Sequence, residues 1–391
     1  MAEEQTLSIR KLLKVMSDQG ASDLYIAAGA PPSYRVKGSV RPLGNKPLNS
    51  IQCEQLANAC MTERQKATFS DEFEMNLSLQ FPEIGRFRVN IFKQRGAVGM
   101  VIRVITTEIA SIDDLKLPDI FKDIAMTKRG LVIMVGSTGS GKSTSLAALV
   151  DWRNSNQAGH IITIEDPVEY VHAHKKCIVT QREVGVDTLT FKAALKNTLR
   201  QAPDVILLGE IRDMETMEHA IEFAETGHLA MATLHANNAN QTMERIVNFF
   251  PEERHPQILM NLSLNLRAIL SQRLVKTVDG GRVAAIEILI NTPRIADLIL
   301  KGEVDAVKEA MAAGKQYGMH TFDQDLLRLW QEGRISEEMA LANSDSPNDL
   351  RLKMKMAKLE GNEDQESGVD AILNSSPEEE EGGEERPELK I

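Results

Sequence analysis

The residue pattern with the clearest chemistry is a glycine-rich segment that ends in lysine and serine. The segment Gly136-Ser-Thr-Gly-Ser-Gly-Lys142-Ser143 follows the apolar run Leu131–Val135 and opens a predicted helix, Thr144–Trp152. Glycines let backbone N–H groups converge on phosphate oxygens, and the helix amino terminus adds positive potential. A structural turn is the alternative, but the strand–loop–helix context favours a nucleotide site. The predicted nucleotide contacts are Gly136, Ser137, Thr138, Gly139, Ser140, Gly141, Lys142, Ser143 and Thr144.

Within this segment the lysine and the serine have different predicted roles. We expect Lys142 to reach the β- and γ-phosphates and the Ser143 hydroxyl to be a Mg²⁺ ligand. The predicted substrate is therefore ATP together with Mg²⁺.

Carboxylates follow two further apolar segments that we predict to be strands. Glu165 comes directly after His160–Ile164, and Glu210 follows Val205–Leu208. The carboxyl ends of parallel strands form the edge at which α/β sheets bind ligands. One carboxylate should orient or deprotonate the attacking water, while the other holds Mg²⁺ through its hydration shell, with Glu210 placed near the metal. The sequence leaves open which of the two is the base, and a solvated strand cap is the alternative for either one alone.

Two histidines and a group of arginines are further candidates. His228 and His235 bracket the predicted strand Leu229–Leu234, and neither has a Cys or a third His at zinc-ligand spacing. Ordinary packing is the default interpretation for both. Four arginines lie within eighteen residues of the amino-terminal region, where they form either a solvated face or arginine fingers that supply charge to a transferred phosphoryl group: Arg86, Arg88, Arg95 and Arg103.

Hydrophobic periodicity divides the chain into regions that must position these residues. Residues 1–105 predict a small α+β domain with an opening amphipathic helix and short alternating strands, and 106–118 predict a linker. Residues 119–345 alternate apolar strands with helices, as in an α/β core, and become helical after Thr292. Residues 346–391 predict an acidic, disordered tail.

Composition excludes several other classes of protein. The net charge of −11 comes almost entirely from residues 360–391, which hold 12 acids and two bases and leave 44 acids and 43 bases in 1–359. The nearly neutral remainder lacks the basic excess of a nucleic-acid binder. Three cysteines without a CxxC pair exclude a disulfide framework, and no apolar run approaches the ~18 residues that span a bilayer. We expect a cytoplasmic protein.

Four motifs occur together in one order: GSTGSGKS, TIEDPVEY, TQREVGVDTLTFKAALKNTLRQAPDVILLGEIRD and TGHLAMATLHANNA. Over residues 5–345 the chain resembles the secretion-ATPase superfamily and, within it, the type IV pilus retraction ATPases of the PilT/PilU group. The resemblance implies a PAS-like amino-terminal domain, a RecA-like ATPase domain with a helical carboxyl-terminal part, and a homohexameric ring. It also implies a cytoplasmic location, peripheral at the inner membrane at the pilus base.

The same resemblance implies roles for individual residues and partners. Arg88 and Arg103 match family arginine fingers, with Arg95 as a further candidate, and Arg200 matches a phosphate-side arginine. His228 and His235 match the family's histidine box, which contacts or senses the nucleotide. The implied partners are a companion PilT-type ATPase and an inner-membrane pilus platform protein, with no nucleic acid.

Two departures from the family pattern favour its accessory, PilU-type members. The segment Arg294-Ile-Ala296-Asp-Leu298 has alanine where PilT-type motors carry the arginine of an Ala-Ile-Arg-Asn-Leu motif. The acidic tail is the second departure, and the absence of a four-cysteine element disfavours extension motors. The alternatives are a primary retraction motor, another secretion-type motor, or a nucleotide-binding scaffold on a partner ring.

Overall fold

A computed structural model describes residues 8–36, 38–105 and 108–359, and it contains two β-sheets. The amino-terminal sheet has six strands in the order β3-β2-β1-β6-β5-β4, joined by antiparallel pairings. Its elements are α1 (Ile9–Asp18), β1 (Asp23–Ile26), β2 (Ser33–Val36), β3 (Ser39–Pro42), α2 (Ser50–Asn58), α3 (Glu63–Glu72), β4 (Glu74–Phe81), β5 (Gly85–Gln94) and β6 (Ala97–Ile105).

The second sheet begins at residue 130 and has seven strands in the order β13-β12-β7-β11-β10-β8-β9. The neighbouring pairs from β12 to β9 are parallel. Its elements are α4 (Ile120–Ala125), β7 (Gly130–Val135), α5 (Lys142–Asn156), β8 (Gly159–Glu165), β9 (Cys177–Glu183), α6 (Phe191–Thr198), β10 (Val205–Leu208), α7 (Met214–Glu225), β11 (Leu229–Leu234), α8 (Ala239–Asn248), α9 (His255–Asn265), β12 (Leu266–Lys276), β13 (Arg282–Ile290), α10 (Pro293–Lys301) and α11 (Val304–Ala312).

The central strands explain why the sequence contains unbroken apolar runs. Every residue of β7, β10 and β11 is buried, because helices cover both faces of the parallel sheet. Separate apolar cores lie on the two faces of this sheet, and the antiparallel sheet has a third core that includes the buried face of α1. The predicted α/β core is confirmed, while a PAS-like identity for residues 1–105 stays a prediction.

Contacts divide the chain differently from the predicted domains. Within the described residues, one compact unit runs up to residue 274 and includes 284–321, so it contains the antiparallel sheet and most of the parallel sheet. The other unit contains residues 275–283 and the described residues after 321, with α12 (Phe322–Gln331) and α13 (Glu337–Asn343). The predicted boundaries at 105 and 119 therefore do not appear in this division and stay a prediction.

The predicted start of the tail at residue 346 is wrong. Residues 347–359 form a further helix, in which Leu350 and Met354 are fully buried. These two apolar side chains stand four residues apart and share one face of the helix, so this face packs against the rest of the structure. The high density of acids begins at Glu360, and residues 360–391 lie outside the described part of the chain. Among the described residues, no helix is long and apolar enough to cross a membrane.

Candidate active site at the carboxyl edge of the parallel sheet

The glycine-rich segment forms a tight loop between β7 and α5. Gly136, Gly139 and Gly141 have φ angles of 150°, 79° and 89°, which residues with a Cβ rarely adopt. A Cβ at Gly136 would lie 2.4 Å from the carbonyl oxygen of Gln272, and one at Gly141 would lie 2.7 Å from Gln272 Nε2. The loop can therefore follow this path only with glycine at these positions.

Gln272 of β12 holds the loop and the start of α5 through two hydrogen bonds. Its Nε2 donates to the carbonyl of Ser140 over 2.8 Å, and its Oε1 accepts from the Ser145 hydroxyl over 2.7 Å. Gln272 is buried, so these bonds are shielded from water. The sequence analysis missed this residue. The available signal was a polar pair, Ser271-Gln272, inside an apolar strand.

Lys142 is buried against its own loop. Its Nζ donates to the carbonyls of Gly136 and Ser137 over 2.8 and 3.0 Å. Burial lowers the pKa of Lys142, while the nearby carboxylates Glu210 and Glu169 act in the opposite direction. An anion bound in the loop could offer this ammonium stronger, charge-assisted bonds than the two neutral carbonyls provide.

Glu165 lies at the end of β8, with its carboxylate turned into the structure. Its Oε1 accepts a bond of 2.6 Å from the Thr163 hydroxyl and a longer one of 3.4 Å from Gln181 Nε2. Burial raises the pKa of Glu165, although the hydrogen bonds that it accepts oppose that shift. A desolvated carboxylate of this kind is a stronger proton acceptor than a solvated one.

Glu210, just beyond β10, is held between two other side chains. Arg212 Nε donates to its Oε2 over 2.7 Å, and His235 Nε2 lies 3.1 Å from its Oε1. The bond to Glu210 raises the pKa of Arg212. Glu165 and Glu210 therefore differ in environment, since the first is desolvated and the second is paired.

These groups line one cleft of about 500 Å³. Most of its walls come from the carboxyl ends of the parallel strands, with Arg88 contributed by β5 of the antiparallel sheet. The predicted site residues that line the cleft are Thr138, Gly139, Lys142, Ser143, Glu165, Glu210, His235 and Arg88. Gly136 and Ser137 line an adjoining cavity that also touches His235. Thr144 is hydrogen-bonded to Tyr170, which is itself a lining residue.

The four arginines of the antiparallel sheet lie in different environments. Arg88 is exposed in the cleft, whereas Arg103 donates through Nε to the buried Asp23 and is not among the lining residues. Arg95 occupies the turn after β5 with a positive φ of 49°. Arg86 forms an ion pair of 2.7 Å with Glu183 at the end of β9. The structure thus brings one of the predicted fingers to the site and leaves Arg103 and Arg95 elsewhere.

Two predicted nucleotide contacts lie at the opposite edge of the sheet. His228 precedes β11 while His235 follows it, and a six-residue strand separates its ends by about 20 Å. Arg200 lies in the turn just before β10, next to Gln201, whose carbonyl contacts His160 at the start of β8. His228 and Arg200 therefore do not line the cleft of their own chain, because both residues precede their strands. A nucleotide contact for either residue stays a prediction.

A glycine-rich loop at the carboxyl edge of a parallel sheet, with strand-end carboxylates facing it, defines a P-loop NTPase. The family model for type II/IV secretion system proteins matches residues 4–286. The chain therefore belongs to this family. The α/β fold and the resemblance to pilus ATPases are confirmed by the relatives that follow.

Two relatives from Pseudomonas aeruginosa match nearly the whole chain. The type IV pilus ATPase PilU is 57% identical over 351 residues, which cover 90% of this chain and 92% of PilU. The type IV pilus retraction ATPase PilT is 43% identical and covers 88% of this chain and all of its own length.

Solved structures agree with these sequence relationships. The crystal structure of the pilus retraction motor PilT with bound ADP has a TM-score of 0.83 at 41% identity, covering 88% of this chain and 99% of PilT. The ATPase DotB of Legionella pneumophila has a TM-score of 0.76 at 28% identity, covering 85% of this chain and 93% of DotB.

Proposed function

We propose that this chain is the Mg²⁺-ATP-hydrolysing subunit of a homohexameric motor that powers or assists type IV pilus retraction. The observation that carries the proposal is the convergence of Lys142, Glu165, Glu210 and Arg88 on one cleft. The printed names of the relatives, a pilus ATPase and a retraction ATPase, support the mechanical role. Identity of 57% to PilU, together with Ala296 in place of an arginine, supports an accessory role beside a companion PilT-type ATPase. The motor would act on an inner-membrane platform protein from the cytoplasmic side.

Binding begins at the loop between β7 and α5. The loop N–H groups and the amino terminus of α5 would receive the β- and γ-phosphates. Lys142 would exchange its bonds to the Gly136 and Ser137 carbonyls for bonds to phosphate oxygens. Because those carbonyls hold the ammonium in place beforehand, little rearrangement is needed when the nucleotide arrives.

Glu165 is the better candidate for the general base. Its burial favours the protonated form, so the carboxylate is a stronger base toward the attacking water. Glu210 is less suited to this step because Arg212 and His235 already face its two oxygens. The different surroundings of the two carboxylates therefore support Glu165 rather than Glu210 as the base.

The residues of the cleft also fit Mg²⁺. This ion prefers oxygen ligands and is usually held by one or two protein groups, with waters and substrate phosphates filling the remaining positions. Ser143 offers a hydroxyl in the cleft, and Glu210 offers carboxylate oxygens that could act through water. Among the described residues, no group of three or more His, Cys, Asp or Glu side chains could hold a metal ion. When bound, Mg²⁺ neutralises charge on the β- and γ-phosphate oxygens.

Arg88 could couple hydrolysis in the cleft to a movement of the two sheets. It reaches the cleft from the antiparallel sheet, while the other cleft residues named here come from the parallel sheet and its loops. An arginine that contacts the γ-phosphate would draw the two sheets together, and loss of that phosphate would release them. Hydrolysis could then become a rigid-body movement.

The first test is steady-state Mg²⁺-ATP hydrolysis by the purified protein, with particle mass measured in the same buffer. We expect hydrolysis from particles of six-subunit mass, and we expect Lys142→Ala to abolish it. Equal rates for the wild type and Lys142→Ala, with or without a PilT-type partner, would contradict the ATPase proposal and indicate a nucleotide-binding scaffold. Hydrolysis that appears only when the partner is added would support the accessory role.

A further inference from the structure

Glu183 is a buried carboxylate that the mechanism above does not use. It ends β9 and is only 3% exposed. Its Oε1 accepts from the Ser78 hydroxyl, and its Oε2 accepts from Arg86 Nη2 over 2.7 Å and from the backbone N–H of Val168 over 3.2 Å. Both oxygens are therefore satisfied, by donors from two different parts of the fold.

One group of these contacts holds the loop that follows Glu165. Glu183 is the register partner of Glu165 on the neighbouring parallel strand, and Val184 N donates to the Glu165 carbonyl over 2.9 Å. Val168, which donates to Glu183, lies three residues beyond Glu165. The carboxylate of Glu183 thus fixes the path of the chain that leaves the proposed base.

The other group concerns the antiparallel sheet. Ser78 of β4 is the register partner of Arg88 on β5, and Arg86 lies two residues before Arg88. Side chains two residues apart on a strand share a face, so Ser78, Arg86 and Arg88 all point the same way. Arg86, which precedes Arg88, and Ser78, which lies opposite it, both bind Glu183. Arg88 itself extends into the cleft.

The Arg86–Glu183 pair is well placed to fix a distance. The Arg86 side chain is 15% exposed and that of Glu183 is 4% exposed, so water screens the pair weakly. Arg86 Nε is also buried and has no hydrogen-bond partner among the described residues, which makes Glu183 the anion that compensates this guanidinium. Such a pair holds the strand at one position because movement would leave two charges buried and unpaired.

We infer that Glu183 is a positioning residue that sets the separation of Arg88 and Glu165 across the cleft while the two sheets are drawn together. The inference rests on the proposed ATPase function. It assigns Glu183 no contact with the nucleotide, because its carboxylate is occupied by Ser78, Arg86 and Val168. Its effect on the rate is therefore exerted through Arg88 on one side and through the loop after Glu165 on the other.

Glu183→Gln keeps the shape of the side chain and removes its charge. We expect kcat to fall about 10- to 100-fold, as a displacement of reacting groups by about 1 Å would cause. Nucleotide affinity, measured by titration with a fluorescent ATP analogue, should change less than about threefold because the loop at 136–143 is untouched. A fall in affinity with unchanged kcat would overturn the inference.

A double-mutant cycle with Arg88→Ala separates positioning from general damage. If Glu183 acts by placing Arg88, then Glu183→Gln should cost far less in the Arg88→Ala background than in the wild type. Equal costs in both backgrounds would overturn the inference. Should Glu183→Gln fail to fold, Ser78→Ala removes one hydroxyl donor from the same carboxylate and is scored by the same cycle, with an expected kcat loss of about threefold.

A matched control for Glu183→Gln is Glu83, which lies on the β4–β5 hairpin that carries Ser78 and Arg86. Glu83 joins β4 to β5 and forms an exposed ion pair of 3.2 Å with Arg10, so Glu83→Gln makes the same chemical change without touching the cleft. Its kcat should equal that of the wild type. A wild type that hydrolyses no ATP either alone or with a PilT-type partner would instead contradict the proposed function itself, which keeps the two failures distinguishable.

Discussion

The two edges of the parallel sheet carry similar residue types but use them in opposite ways. At the carboxyl edge, Lys142 and Glu165 face a cleft large enough for a nucleotide. At the amino edge, Asp204 accepts the backbone N–H of His160 over 2.8 Å, and His228 Nδ1 contacts the carbonyl of Phe223 over 3.2 Å. Acids and histidines there join neighbouring strands and turns. The end of the strand at which a charged group lies, rather than its residue type, therefore decides whether it is available for chemistry.

The largest contrast should come from two lysines, one at each edge. Lys142→Ala removes the ammonium that faces the phosphates, and we expect hydrolysis to fall by a factor of about 10³ or more. Lys128→Ala at the amino edge, which lines a different cavity, should leave the rate within about twofold. A steady-state phosphate-release assay on both variants measures the contrast. Similar losses for the two lysines would remove the distinction between the edges.

The two carboxylates form the next pair. Glu165→Gln should lower kcat about 10²- to 10⁴-fold while ATP still binds, because the amide cannot accept the proton. Asp204→Asn weakens the bond to the His160 N–H and should cost about 1 kcal/mol of unfolding free energy with little change in kcat. Hydrolysis assays and thermal unfolding of both variants provide the check. A Glu165→Gln variant with full activity would transfer the role of base to Glu210.

The two histidines flank one strand, β11, so they differ mainly in the edge of the sheet at which they lie. His235→Ala leaves one oxygen of Glu210 without its neighbour, and we expect about a tenfold loss of kcat. His228→Ala should change kcat less than about twofold in isolated rings. The opposite ranking, with His228 the more sensitive residue, would show that the amino edge takes part in hydrolysis.

The pH dependence is the mildest expected effect. Burial raises the pKa of Glu165, so its proton-accepting form is lost on acidification at a pH above the value of about 4.3 usual for glutamate. The rate should therefore fall on the acid side before an exposed carboxylate would titrate. His172 also lines the cleft, but burial lowers its pKa to about 4, below the pH region in which this limb is expected.

Measuring kcat from pH 5 to 8 in the wild type and in His235→Gln tests whether the acid limb depends on His235. An acid limb that persists in His235→Gln belongs to Glu165. A limb that disappears in this variant would contradict the assignment, because the titrating group would then be the histidine.

Local features of the sequence predicted most of the carboxyl edge. The glycine spacing of the loop and the acids after apolar strands depend on neighbouring residues, so Lys142 and Glu165 could be placed from the sequence. The terminal helix 347–359 lacks such a local signal, because residues 350–356 alternate apolar and basic side chains at the spacing of a strand. The burial of Leu350 and Met354, four residues apart, is visible only in the structure.

Long-range features could not be predicted in the same way. Gln272 contacts a loop more than 130 residues earlier, and Glu183 binds Ser78 and Arg86 across about 100 residues. No spacing rule links such positions in a single sequence. For the same reason, four arginines in eighteen residues did not indicate that Arg88 faces the cleft while Arg103 pairs with Asp23.

The proposed mechanism requires that Arg88 and Lys142 of the same chain complete one site. Mixing subunits tests it most directly, with Arg88→Ala and Lys142→Ala proteins unfolded, combined in equal amounts and refolded into joint rings. If both residues serve one chain's cleft, then every subunit is defective, and the mixture should hydrolyse ATP no faster than either variant alone. If Arg88 instead acts on the neighbouring subunit, about a quarter of the sites would be intact, and recovery of activity to that level would contradict the account.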